Sequence, residues 1–207
     1  MPLLAPEKYL NVLREIKQRT RVIDAFVAGT THAVFEASNI ETVCLQFRKI
    51  LELIAFSSLI ANVKEYSQQY DRFAEHWNAR SMLRDLERVN PDFYPQPIIQ
   101  ESATESGALM RWLERPDDYL TKHRFIGVYE KCGGLMHAEN PYAPARDYEY
   151  YKQQLKPWRN QTINLLNAHT VTLSGESNLY LFQMGAPDAN PTYHLFGLVT
   201  PTPPDTV

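Results

Sequence analysis

Residues 38–63 read SNIETVCLQFRKILELIAFSSLIANV, and this stretch decides the fold. Ser38 followed three residues later by Glu41, just ahead of a long apolar run, has the form of a capping box opening a helix. Val43, Phe47, Ile50, Leu51 and Ile54 make one stripe at helical spacing, while Leu45, Leu53, Phe56, Leu59 and Ile60 cover much of the rest of the circumference. A helix apolar nearly all round must be buried on most sides. The expected architecture is therefore a helical bundle with this segment as its hub.

Within that apolar surface sit Arg48 and Glu52, four residues apart. A lone buried charge is costly, so the two are expected to pair with each other or with a polar partner. An intrahelical ion pair at a gap in the packing is one reading. A polar site lined by both, within the bundle or across a dimer interface, is the other.

Working outward, residues 6–28 place Tyr9, Leu10, Leu13, Ile16, Ile23 and Phe26 at helical spacing, with Pro6 in the first turn and Gly29 as the stop. Residues 30–37 are ambiguous between loop and irregular turn. A helix is expected over 71–89, with Phe73, Trp77, Met82, Leu83 and Leu86 facing the core, and His76 beside Trp77 reads as packing. Residues 92–107, with Pro95 and Pro97, read as a long connector, and 109–113 as a short helical turn. Two more helices follow over 118–138 and 146–168. The first contains Gly127, Gly133 and Gly134, which suggest close approach by another helix or chain. In the second, Pro157 should kink or split the helix.

After His169 the period changes to that of strands: a hairpin over 170–184 turning at 174–177, then a third strand candidate over 193–199 and a frayed, Pro-rich end at 200–207. Two or three strands are marginal alone and must pack on helices. The chain thus reads as mainly α, a helical bundle domain over 1–168 with a small antiparallel β appendage over 169–207.

Hydrophobic residues at 44% and charged residues at 22% are ordinary globular values and exclude wholesale disorder. A net charge of −3 gives no overall pull toward nucleic acid, so any such binding needs a local basic patch. Neither a signal segment nor an apolar run of membrane-spanning length is seen, so no membrane is expected and the cytoplasm is the expected location. Cys44 and Cys132 lie in apolar helical patterns without metal or redox spacing, and read as buried thiols of a reducing compartment.

Residues 129–137 read YEKCGGLMH. His137 closes the helix, where a structural role at the helix terminus and general acid–base work are both open to an imidazole. A long buried helix with embedded polar residues, then a late helix ending in a histidine preceded by a basic residue, resembles the HEPN superfamily of helical bundles over about residues 38–168. That resemblance implies a homodimer, RNA as partner and metal-free cleavage of the kind found in bacterial toxins and antiviral defence. It implies His137 as the acid–base group, Lys131 or Arg48 as the charge on the phosphate, and Glu52 or Glu130 as orienting groups. Lys131 stands six residues before His137, where family enzymes carry arginine; lysine keeps the charge but lacks the planar fork. Cys132 follows it, where those enzymes favour a polar residue.

Lys152, Lys156 and Arg159 form a basic stripe beside Tyr148 and Tyr151, readable as a phosphate-binding face or as a solvated surface. His169 and His194 could approach each other on the β element, but further ligands are lacking. No metal and no cofactor is expected. A non-catalytic helical subunit, serving dimerisation or a regulatory protein partner, is the competing functional reading.

Overall fold

The computed structural model describes residues 5–69, 78–102, 110–116, 118–173 and 178–197. Residues 71–77 of the helix expected over 71–89, 103–107 of the expected connector, 109 of the expected helical turn, the hairpin turn at 174–177, 198–199 of the third strand candidate and the end at 200–207 lie outside the described residues. Among those described there are six helices and five strands: α1 (Ala5–Val27), α2 (Glu36–Ala61), α3 (Val63–Gln69), α4 (Ala79–Val89), β1 (Gln96–Ser102), β2 (Met110–Glu114), α5 (Lys122–Gly134), α6 (Tyr148–Leu166), β3 (Ala168–Thr172), β4 (Leu179–Gln183) and β5 (Thr192–Phe196).

The hub is α2. It packs against α1, α4, α5 and α6, and Val43, Phe47, Ile50, Leu51 and Ile54 are all buried. Its start differs from expectation. The helix begins at Glu36, so Ser38 falls inside the first turn and the capping box does not form. The Ser38 hydroxyl donates instead to the carbonyls of Ala33 and Phe35, and Asn39 Oδ1 accepts the Ala33 N–H at 2.5 Å. Glu41 is thereby left to accept the Tyr148 hydroxyl of α6 at 2.7 Å. Pro157 does not split α6, which runs through it as one helix of 19 residues. Pro157 and Gln153, whose carbonyl loses its helical partner, are both exposed, so water can satisfy that group.

The β element is larger than expected. The sheet is antiparallel, ordered β2-β1-β3-β4-β5, and two of its strands come from the stretch read as a connector and a helical turn. Pro95 and Pro97 made 92–107 look irregular, yet Pro97 lies opposite His169 at the point where β1 joins β3. Short segments such as Ile98-Ile99 and Trp112-Leu113 become strands by pairing with each other, a non-local event that their own periodicity does not announce. Leu173, Tyr180 and Phe182 belong to the same buried cluster as the helical residues.

A buried polar chain locks the sheet to the bundle. His169 on β3 is fully buried; its Nδ1 faces the Leu166 carbonyl at 3.0 Å and its Nε2 faces the Tyr9 hydroxyl of α1, also at 3.0 Å. An acceptor at Nδ1 places the proton there, so Nε2 accepts from Tyr9. The Tyr9 ring stacks on Phe182 of β4 at 4.1 Å. Burial pushes the His169 imidazole down to about 4 and the Tyr9 phenol well up, so both are neutral at physiological pH. The β4–β5 turn is held by Lys17 of α1, whose ammonium donates to the carbonyls of Met184, Ala186 and Ala189 at 2.8, 2.5 and 2.6 Å.

Because the folded imidazole titrates below its unfolded value of about 6.5, the native state binds fewer protons than the unfolded chain below that pH. Stability is therefore complete above pH 6.5 and falls as pH drops toward 4, by about 3 kcal/mol in all. Urea unfolding at pH 7 and pH 4.5 should show this loss. His169→Gln should remove most of that difference, and an unchanged pH dependence in the variant would refute the assignment.

Candidate functional site

At the contact between α2 and α5, three polar side chains converge. Arg48 Nη2 donates to the Tyr129 hydroxyl at 2.8 Å, and that hydroxyl donates to Glu52 Oε1 at 3.3 Å. Arg48 Nε lies 3.4 Å from the same carboxylate oxygen, closing the triangle. The guanidinium also sits over the Tyr129 ring, 4.2 Å from its centroid. Arg48 and Glu52 are 29% and 28% exposed, so this cluster lies at the rim of the bundle and is not a sealed ion pair. Burial raises the Tyr129 phenol, opposed by Arg48 and reinforced by Glu52. The pairing of Arg48 with Glu52 expected from their spacing is present; the tyrosine that joins them was not singled out.

A signal for Tyr129 exists in the sequence. Gly133 lies four residues further along α5, hence on the same face, and a Cβ there would fall 2.6 Å from Arg48 Nη1. The glycine leaves the space the guanidinium fills. The close approach is thus to a side chain of α2, not to a helix backbone, and Gly127 and Gly134 meet nothing within 4 Å in the chain. Deeper in the same interface, Cys44 and Cys132 are both buried and unbridged. A hydrogen bond to Cys44, together with burial, pushes the Cys132 thiol far up and leaves it unreactive.

His137 is not part of this triangle. It lies in the turn after α5, exposed, and among the described residues its imidazole has no hydrogen bond or ion pair. Its backbone, by contrast, is fastened. Arg146 Nη2 donates to the carbonyls of His137 and Ala138 at 2.6 and 3.3 Å, and the Arg146 N–H donates to Glu139 Oε1 at 2.8 Å. Asn140 Oδ1 accepts the Tyr142 N–H at 3.0 Å, forming an Asx turn within the same loop. Sequence reasoning used Arg146 only as a helix start; the Asn140-Pro141 turn that folds the chain back was the available hint.

The remaining candidates are scattered. Lys131 extends over the Tyr150 ring of α6, 5.0 Å from its centroid. Glu130 pairs with Arg80 of α4. Lys152 is paired with Glu36 at 2.5 Å, and Arg159 holds Asp24 through two hydrogen bonds of 2.7 and 2.9 Å. Of the basic stripe, only Lys156 lacks an ion pair among the described residues, so little net charge is left to attract phosphate. His169 and His194 occupy adjacent rows of the sheet, the first opposite Phe182 and the second opposite Leu181, so they point to opposite faces.

Among the described residues no group of three or more His, Cys, Asp or Glu side chains is placed to hold a metal ion, and no helix is long and apolar enough to cross a membrane. No family model, no curated protein and no solved structure matches the chain.

The Arg48–Gly133 contact predicts a coupling between the two positions. Gly133→Ala gains helix propensity but moves the guanidinium off Tyr129 and Glu52, so alone it should be less favourable than its propensity gain of about 1 kcal/mol. In an Arg48→Ala background the same change should become neutral or stabilising. A double-mutant cycle by urea unfolding should give an interaction of about 1–2 kcal/mol; additive effects would mean the guanidinium is not where it is described.

Proposed function

We propose that this chain is a HEPN-like, RNA-acting protein that works as a homodimer in the cytoplasm and cleaves RNA without a metal, with His137 as its reactive group. The observation that carries this reading is an exposed, uncommitted imidazole on a loop whose backbone is clamped by a guanidinium. Surface histidines on loose loops are common; one whose main chain is held by Arg146 has a fixed position from which to act.

In the reaction, the His137 imidazole takes the proton of a ribose 2′-OH as that oxygen attacks the adjacent phosphorus. The 5′-oxygen leaves with a proton taken from water, and a 2′,3′-cyclic phosphate remains; the His137 imidazolium then returns its proton to solvent. Arg146 keeps spare N–H donors beyond those given to the two carbonyls, and with Lys131 it supplies the charge that stabilises the phosphorane. Arg48 and Glu52 hold Tyr129 and set the end of α5 against α2; their part is to position the helix that leads into the His137 loop.

One observation favours a second reading. Arg48 is already paired with Glu52 and hydrogen-bonded to Tyr129 within the chain, as an internal strut of a non-catalytic subunit would be. Such a protein would dimerise or hold a partner protein and leave RNA intact.

Incubating the full chain with single-stranded RNA in the presence of a chelator separates the two. Cleavage to cyclic phosphate ends is expected, with His137→Ala slower by about 100-fold or more and Arg146→Ala impaired beside it. No cleavage by a well-folded dimer, or equal cleavage by the His137→Ala protein, would overturn the catalytic reading.

A further inference from the structure

Strand β1 pairs with β3 only through Gln96 and Pro97, then continues with β2 as a separate hairpin. Trp112 of β2 and Phe196 of β5 belong to strands at opposite edges of the sheet, yet their rings meet edge to face at 4.7 Å. The sheet is therefore rolled, with the β1–β2 hairpin folded over the face turned away from α1. The register puts Gln100, Trp112, Met110, Leu181, Gln183, His194 and Phe196 on that face. Together they line a cleft of about 570 Å³.

Its chemistry is specific. Leu181 forms an apolar floor, Trp112, Phe196 and Met110 form walls that remain partly exposed, and among the described residues no Asp, Glu, Lys or Arg lines it. Inside sit two half-buried amides: Gln183 Nε2 donates to Gln100 Oε1 at 2.6 Å. Each amide has a second polar atom, and among the described residues neither of these has a partner. Whichever way the two amides are turned, one carbonyl oxygen and one NH2 remain, one on each glutamine, in a cleft walled by aromatic rings. An acceptor and a donor beside a stacking surface match the polar edge and the face of a nucleobase.

We propose that this cleft is a nucleobase-binding site, in which the base stacks on the Trp112–Phe196 pair and its polar edge meets the free ends of Gln100 and Gln183. A sugar and phosphate would stay outside, since among the described residues the lining holds no Lys or Arg to meet a phosphate. The base can come from a single-stranded polynucleotide or from a free nucleoside. The proposal does not rest on His137: a protein without RNA-cleaving activity would bind bases equally well.

Calorimetric titration of the full chain with each of the four ribonucleosides, and with a short single-stranded oligoribonucleotide, tests it. The parent should bind at least one of them at millimolar concentration or better. Gln100→Leu and Gln183→Leu should each weaken that binding about tenfold or more while leaving thermal unfolding nearly unchanged. If Gln183→Leu, nearer the core, fails to fold, Gln100→Leu carries the test. Binding of nucleosides and oligonucleotide alike points to the base itself; binding of the oligonucleotide alone, weakened by the same substitutions, points to a polynucleotide source. Absence of binding by the parent, or binding that survives both substitutions, would overturn the proposal.

Discussion

The structure depends on the burial of α2. A 26-residue helix whose apolar residues run almost around its circumference cannot satisfy itself against one neighbour. It draws α1, α4, α5 and α6 around it, and each neighbour then offers only one face to the hub. Burying a single large aliphatic side chain contributes on the order of 1.5–3 kcal/mol, so the many buried side chains of α2 outweigh any one polar feature in setting the architecture. The polar features have to fit the gaps that this packing leaves.

Arg48 and Glu52 show how. Placed on the same helix, they break its apolar surface where α5 crosses, and they would be costly if sealed. Tyr129 gives each a hydrogen-bonding partner, Gly133 makes room for the guanidinium, and the rim position keeps both in touch with water. The strongest polar cluster is thus at once a packing device and the support for the helix that delivers His137. The same logic recurs at His169 and Tyr9, where a neutral imidazole and a neutral phenol satisfy each other between α1 and β3. At both of these crossings the polar groups are matched from both sides.

Legibility followed the range of the interactions. Most helices carried by strong apolar periodicity were read at nearly their observed positions, as was the β hairpin after His169; the helix expected over 118–138 is shorter, Lys122–Gly134, so His137 does not close it but follows in the turn beyond. The β1–β2 hairpin was missed because its strands are short, interrupted by prolines, and defined by pairing with each other and with β3. The capping box at Ser38 had the right residues in the right order, but the helix starts three residues earlier, with Phe35 as its N-cap, and the 33–39 turn folds back on Ser38 and Asn39. The basic stripe on α6 was read from one helix alone. Its neutralisation by Glu36 and Asp24 arises on other helices, and no spacing within α6 announces it.

What the sequence alone determined was the mainly α character, the hub helix and the pairing of Arg48 with Glu52, because each follows from residues within a few turns of one another. Tertiary structure decided the rest: that Tyr129 completes the polar triangle, that Arg146 fixes the His137 loop, and that two glutamines from distant strands meet in one cleft. These are contacts between residues far apart in the chain. Periodicity shows which face of an element is apolar, but only packing selects the side chain that a polar group will meet there.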